Sequence, residues 1–462
     1  MGKRSSKLSH DAKIDVSVKS GLQNGGLSVW LSGIIFGFSN LVNGQIGRGL
    51  AFLVLEIACL AFLFLPQGGL YWLSMLPSLG WREQGEIWDE TKGIYVYTAG
   101  DSSQLILLYG IASLCVIGVL ILGWRGSLRS GYQAVLRKRQ GKRLPAFRDD
   151  LKALFDEKVH VFLMAPPVLF LFFFTVLPLL YMISMAFTNY SKIGEHLVLF
   201  DWVGFENFAT VFNSQSTIGK QFWSVLGWTL IWAFFATFLN FFLGTVLAMV
   251  INRNGTKLKG LWRGCLSLTI AVPQFVSLLI IRTMFEPNGI VNKLLSQWGF
   301  LEIEQKLPFL TNATWARVFV IAINLWVGIP YTILQVTGIL KNIPAEQYEA
   351  AKIDGANGLQ SFLKITLPYM IFVMGPYLIL QFTGNINNFN VIYLLTGGAP
   401  TTVGNTAGST DLLVTWLYKL SVDRQQYNLA AVIGILTFLV LSLVSLVTYR
   451  NSGSYKNEEG FK

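Results

Sequence analysis

Three side-chain amides in one apolar run, Gln381, Asn385 and Asn388, recur at intervals of four and three, the spacing that places residues on one face of a helix. An amide offers donors and an acceptor without charge, so this row suits an uncharged, hydroxyl-bearing molecule, and it suits equally a hydrogen bond to a neighbouring helix. Turned toward lipid it would be costly, so the row faces a cavity or another helix, with Asn387 beside it. Other chemistry is sparse. His10, His160 and His196 have no metal-ligand spacing, and no Gly-x-Ser-x-Gly or paired-carboxylate arrangement stands out, so a membrane enzyme is weakly supported. There is no Gly-x-x-x-x-Gly-Lys-Ser/Thr phosphate loop, and any ATP must be hydrolysed by another subunit. Glu56 is the one acid in the middle of an apolar run and reads as a structural group, neutral or hydrogen-bonded to a neighbouring helix, with an unspecified functional role as the alternative. A secondary carrier coupled to an ion, or a channel, is the competing class; the near absence of intramembrane acids disfavours it.

The elements that must position these residues follow from composition. Of 462 residues, 53% are hydrophobic and only 13% charged, too few charges to cover a water-soluble globule. Eight apolar runs, near 48-66, 104-124, 159-188, 221-251, 262-285, 315-340, 369-397 and 426-449, are each long enough to cross a hydrocarbon layer of about 30 Å. The fold class is therefore all-α, a polytopic membrane protein with eight transmembrane helices. Residues 27-42 are apolar but short and read as an interfacial or re-entrant segment. Cys59, Cys115 and Cys265 lie inside apolar runs, where packing is their role. Gly375-Pro376, within the seventh run, offers a kink or hinge.

The basic residues orient the spans. With the N-terminus inside, 25 Lys and Arg fall in cytoplasmic segments and 8 in outer loops, with Arg48, Arg282 and Arg317 at span ends. Residues 125-158, 252-263 and 341-368 and both termini thus face the cytoplasm. The net charge of +11 belongs to this asymmetry, and no nucleic acid partner follows from it. The chain divides into an N-terminus with its interfacial helix (1-47), a two-span unit (48-124), a basic linker (125-158), a six-span core (159-450) and a tail (451-462).

The loop before the seventh run reads Pro344-Ala-Glu-Gln-Tyr-Glu349-Ala350-Ala351-Lys-Ile-Asp-Gly355, then nine residues, then Ile365-Thr-Leu-Pro368. Pro344 presets a first helical turn, Glu346 suits its positive end, Ala350 and Ala351 favour helix, and Gly355 permits a break before a second helix near Leu359. As a whole the pattern resembles the EAA loop of the permeases of binding-protein-dependent ABC importers. Within that family the chain resembles the larger permease of the maltose and maltodextrin type over roughly 160-450. Asn324-Leu-Trp326-Val-Gly328-Ile-Pro330-Tyr331, Asn385-Ile-Asn387-Asn388-Phe389 with Leu394-Leu-Thr-Gly-Gly398, and Gly408-Ser-Thr-Asp411 carry this likeness. The N-terminal unit, with Asn43-Gly44-Gln45-Ile-Gly-Arg48-Gly49, resembles that of long Gram-positive members.

The resemblance implies that residues 344-355 form a coupling helix seated on a cytoplasmic ATPase, with Glu349, Ala350, Ala351 and Gly355 at the contact. It implies a midplane sugar site at Asn324, Val327, Gly328, Tyr331, Gln381, Gly384 and Asn385, with Asn388 on the same amide face. At Gly384 the maltose permease carries a phenylalanine that stacks on the sugar; its loss here leaves room for a longer or branched oligosaccharide. The implied partners are a second, homologous permease, two ATPase subunits carrying ATP and Mg, and an extracellular sugar-binding lipoprotein. This chain itself holds no cofactor, and the setting is the plasma membrane of a Gram-positive bacterium. The expected activity is oligosaccharide import, maltodextrin being the expected substrate, by alternating access.

Overall fold

The computed structural model describes residues 17–253, 255–302 and 304–451; residues 1–16 and the tail from 452, both expected in the cytoplasm, lie outside the described residues. Among the described residues, seven helices are long and apolar enough to cross a membrane: Ile46–Phe64, Ser103–Arg139, Val159–Met185, Thr217–Asn252, Ala313–Leu340, Gly358–Ile386 and Tyr427–Arg450. The eighth expected span is a bent pair, Lys259–Ala271 and Gln274–Phe285, meeting at 90°. The bend falls at Pro273, which has no N–H to give the preceding turn and holds Val272 extended at φ −85°, ψ 128°. Gly375-Pro376, where a kink or hinge is expected, lies within the helix Leu367–Ile386. The seventh span also ends earlier than its apolar run suggests. It stops at Ile386, and Asn388 caps a new helix, Phe389–Leu395, by accepting the Val391 N–H at 3.3 Å. Asn388 is therefore not on the helical face of Gln381 and Asn385, because the helix that would align them has ended.

The chain forms two compact units, one of residues up to Ser184 with Glu195–Trp202, the other of Met185–Gly194 with Val203 onward. The first holds the initial three spans. Residues 27–42 make only short helices, Leu27–Leu31 and Phe38–Val42, neither long enough to cross a membrane. The break between them leaves backbone groups without helical partners, and side chains of the first two spans supply them. Glu56 accepts the Phe36 N–H at 2.7 Å, Ser127 accepts the Gly37 N–H at 2.8 Å, and the Trp124 indole donates to the Gly33 carbonyl. Gly37, at φ +78°, lies so close to Gly49 that a Cβ would sit 2.4 Å from its carbonyl oxygen. Between the first two spans an antiparallel hairpin, Gly85–Asp89 with Ile94–Thr98, adds the one sheet among the described residues, which the apolar pattern did not announce. The third span, Val159–Met185, buries none of its most apolar stretch within the chain.

The second unit is organised around the fourth, sixth and seventh spans. One apolar cluster packs Trp228, Trp232, Ala236, Leu278, Phe319, Val320 and Ile386, and a second packs Ala248, Ile251, Ile333, Val336, Met370 and Met374. Each of the three spans contributes to both clusters, so the residues between, near 237–244, 324–332 and 377–384, form a level with apolar layers at either end. A π-helical turn, Phe235–Leu239, shifts the register of the fourth span at this level.

Candidate functional site

At that level lies a cavity of about 410 Å³. Thr237, Asn240 and Phe241 enter it from the fourth span and Val272, Gln274 and Ser277 from the break in the fifth; Trp326 to Gln335 of the sixth and Tyr377 and Gln381 of the seventh complete it. The helix break at Pro273 brings the Gln274 side chain to the wall, and extended backbone in a membrane is tolerated where it borders such a cavity. No lining residue is charged.

Close approach of the fourth and sixth spans shapes the cavity. A Cβ on Gly328 would lie 1.9 Å from Nδ2 of Asn240, and one on Gly244 would lie 2.6 Å from the Thr332 side chain. The two helices therefore meet at glycines, as small residues permit in membranes. Thr332 Oγ1 donates to Asn240 Oδ1 at 3.1 Å, which fixes the amide and leaves its Nδ2 group beside Gly328. The sixth span presents Gly328, Tyr331 and Gln335 at helical spacing, and the seventh presents Tyr377 and Gln381 one turn apart.

Of the residues singled out from the sequence, Val327, Gly328, Tyr331 and Gln381 line the cavity. Asn385 is buried behind it: its Nδ2 donates to Thr237 Oγ1 at 2.9 Å, and its carbonyl accepts the indole N–H of the fully buried Trp232 at 3.1 Å. Asn324 is buried one turn before Gly328, on the side of the cluster containing Phe319. Gly384 is exposed and a Cβ there meets nothing within 4 Å. Sequence reasoning missed Asn240, Gln274, Gln335 and Tyr377. Gln335 had a readable signal, a fourth-residue spacing from Tyr331, whereas Asn240 and Gln274 reach the wall only through a π turn and a helix break.

The loop ahead of the seventh span forms the helix Ala345–Ile353, ended by Gly355 at φ +76°. Asn357 and Gln360 then cap the next helix reciprocally, each side chain accepting the other's backbone N–H at 2.9 Å. Glu349, Ala350 and Gly355 are exposed and Ala351 is half-buried; Ile353 is 86% exposed.

A family model described as the binding-protein-dependent transport system inner membrane component matches residues 240–453. The galactooligosaccharides transport system permease of Bacillus subtilis is 36% identical across 78% of this chain and 85% of its own. The maltodextrin transport system permease of the same organism is 33% identical across 93% and 96%. The maltose/maltodextrin permease of Escherichia coli is 37% identical across 54% of this chain and 48% of its own. A solved bacterial ABC transporter involved in alginate import shares the fold, with a TM-score of 0.51 and 24% identity over 65% of this chain and 96% of that one.

Proposed function

This chain belongs to the membrane-spanning components of binding-protein-dependent ABC importers for oligosaccharides, and from that membership we propose that the uncharged mid-level cavity is its sugar path, with maltodextrins as the substrate class. The observation that supports this reading is the lining itself. Amides, hydroxyls and the rings of Trp326, Tyr331 and Tyr377 suit sugar hydroxyls and C–H faces, and no charged side chain lines the cavity to hold a coupling ion. The volume falls in the range of about 300–1,000 Å³ typical of small-ligand sites.

In this reading Val327, Gly328, Tyr331 and Gln381, joined by Asn240, Gln274 and Gln335, touch sugar. Asn385 holds Thr237 in the wall. Asn324 and Gly384 lie toward the cluster of Phe319 and Ile386 and extend the path at that end, where the open space at Gly384 admits further sugar units. Tyr331 and Gln381 are exposed in the lone chain, which leaves the path half-walled and calls for the second, homologous permease. Helix Ala345–Ile353, with Glu349, Ala350, Ala351 and Gly355, is assigned to docking on one of two ATPase subunits that supply ATP and Mg. Its side of the membrane is the cytoplasm by the Lys and Arg bias. Residues 159–450 form the permease core, and an extracellular sugar-binding lipoprotein delivers the substrate. Opening alternates between the two membrane faces.

The test is uptake by the whole transporter in proteoliposomes with the binding protein present. Gln381→Ala and Gln335→Leu should each weaken maltodextrin uptake by an amount matching the loss of one hydrogen bond, about 0.5–1.5 kcal/mol. Uptake should require internal ATP and ignore ionophores. Transport driven by an ion gradient without ATP, or unchanged uptake in both variants, would overturn the reading.

A further inference from the structure

A second cavity of about 1010 Å³ lies at the opposite end of the second apolar cluster from the sugar-path level, between the ends of the fourth and sixth spans and the start of the helix Lys259–Ala271. Five cationic residues line it, Arg253, Lys259, Arg263, Lys341 and Lys352, and no acidic residue does. The carboxylates of the neighbouring helix, Glu346 and Glu349 with Asp354 after it, form no ion pair with them: among the described residues the ion pairs are Arg48–Asp150, Lys92–Asp89, Arg282–Glu286 and Lys419–Asp411. Five positive charges gathered without a counter-charge repel one another, an arrangement that favours binding of an anion.

The site is built around Asn252. Its Nδ2 donates to the Ala248 carbonyl at 2.7 Å and to Thr337 Oγ1 at 2.9 Å, which ties it to both spans. Its Oδ1 then accepts Arg263 Nη2, and its backbone carbonyl accepts Lys259 Nζ at 3.1 Å. Arg263 Nε is buried and has no partner. A buried guanidinium N–H left over in a groove free of carboxylates is a donor awaiting an acceptor.

The depth and the walls identify the anion. Arg253 directly follows the last residue of the fourth span and Lys341 the last of the sixth, which sets these charges at headgroup level. Leu258, Leu261 and Trp262 stand exposed beside the groove, the aromatic-and-leucine edge that marks a membrane interface. Met249, Val250, Leu340 and Phe362 give it an apolar wall. We propose that this groove binds the phosphate of an anionic phospholipid, with Arg263 and Lys259 on the phosphate and Lys352 at its rim, so that a lipid is held against the helix that ends at Ile353. This rests on the groove alone and stands whichever sugar the chain carries.

The whole transporter, purified and delipidated in detergent, is titrated with phosphatidylglycerol and with phosphatidylcholine of matched chains, and bound lipid is read by native mass spectrometry. Wild type should retain phosphatidylglycerol in preference, and Lys259→Gln and Lys352→Gln should each reduce that retention about fivefold, the effect of one charge near an anionic headgroup. Lys293→Gln, a charge change outside the groove, should leave it unchanged. Lys352 is exposed, and its side chain makes no hydrogen bond or ion pair among the described residues, so its variant serves if Lys259→Gln or an Arg263 variant fails to fold. Equal retention of the two lipids by wild type, or retention unaltered in Lys352→Gln, overturns the proposal. Displacement of the lipid by glycerol 3-phosphate or inorganic phosphate at equal concentration would assign the groove to a soluble phosphate and overturn the lipid source. Loss of the ATPase subunit from Lys352→Gln with lipid retention intact would assign it to a protein contact and overturn it likewise.

Discussion

Two loops flank the seventh span, and they are finished to very different degrees. Residues 396–419, which follow it, are closed upon themselves. Asp411 is fully buried, and its carboxylate accepts the Lys419 ammonium at 2.6 Å, the Gly408 N–H at 2.7 Å and the Thr415 hydroxyl at 2.9 Å. Burial pushes this carboxyl above the ordinary carboxylate range, against the opposing pull of Lys419. Gly398, at φ +81°, packs so tightly that a Cβ would lie 2.0 Å from Asp411. The Trp228 indole and the Arg317 guanidinium, themselves stacked at 4.8 Å, donate to the carbonyls of Thr410 and Ser409. Residues 344–355, which precede the span, have almost none of this: one bond joins Tyr348 to Thr366 at 2.8 Å, while Ile353 and the Glu-Ala segment stand in the open. A segment whose polar groups are satisfied inside the chain serves the fold, and the formed but uncovered helix is the one assigned above, as a proposal, to the ATPase contact.

That contrast breaks most readily at Asp411. Asp411→Ala removes an acceptor from three donors and strands Lys419, and should cost about 3–5 kcal/mol, read as a large fall in the thermal midpoint of the detergent-solubilised permease. Lys419→Met should cost less, since the remaining carboxyl can take up a proton. A variant as stable as wild type would mean that the closed loop is not what holds this end of the seventh span.

Gly328→Val tests the level between the two loops. Its side chain must displace Asn240 or part the fourth and sixth spans, an overpacking that costs about 1–3 kcal/mol, and uptake should fall with it. Intact stability with lost uptake would show that the glycine serves only the path.

Gly355→Leu sharpens the contrast from the exposed side. A leucine in the left-handed region costs about 1–2 kcal/mol locally, yet the isolated permease should remain folded while sugar uptake and sugar-stimulated ATP hydrolysis separate. Should it destabilise the permease as much as Asp411→Ala, the loop before the span would be a folding element like the one after it. Ile353→Ser should change permease stability by less than about 0.5 kcal/mol, as at surface sites, and weaken retention of the ATPase subunit in co-purification.

The smallest expected effect is at Gly384. Phenylalanine there meets open space, so stability should hold, while competitive uptake of two- to six-unit sugars should shift toward the shorter ones. An unchanged length preference would place Gly384 off the sugar path.

The spans and the helix Ala345–Ile353 with its glycine stop were legible in the sequence because each depends on local rules: a run of apolar residues must form a helix in lipid, and Pro344, two alanines and Gly355 bound a short one. That Glu56 needs a partner was legible for the same reason, since a carboxyl group in an apolar run must find a donor; that the donor is the Phe36 N–H in a broken segment was not. The amide row shows where local reading ends. Gln381 reaches the cavity, Asn385 turns to Thr237 and Asn388 leaves the helix altogether, because one helix stops at Ile386 and another begins. Apolar periodicity carries no mark of that stop. Asn240 and Gln274 reach the wall through a π turn and a proline break, and the charges of the second groove meet only when three span ends converge. What each residue type requires was settled by the sequence; which requirement is met inside the chain and which is left for a ligand was decided by how the helices pack, since helix ends and glycine contacts set the distances.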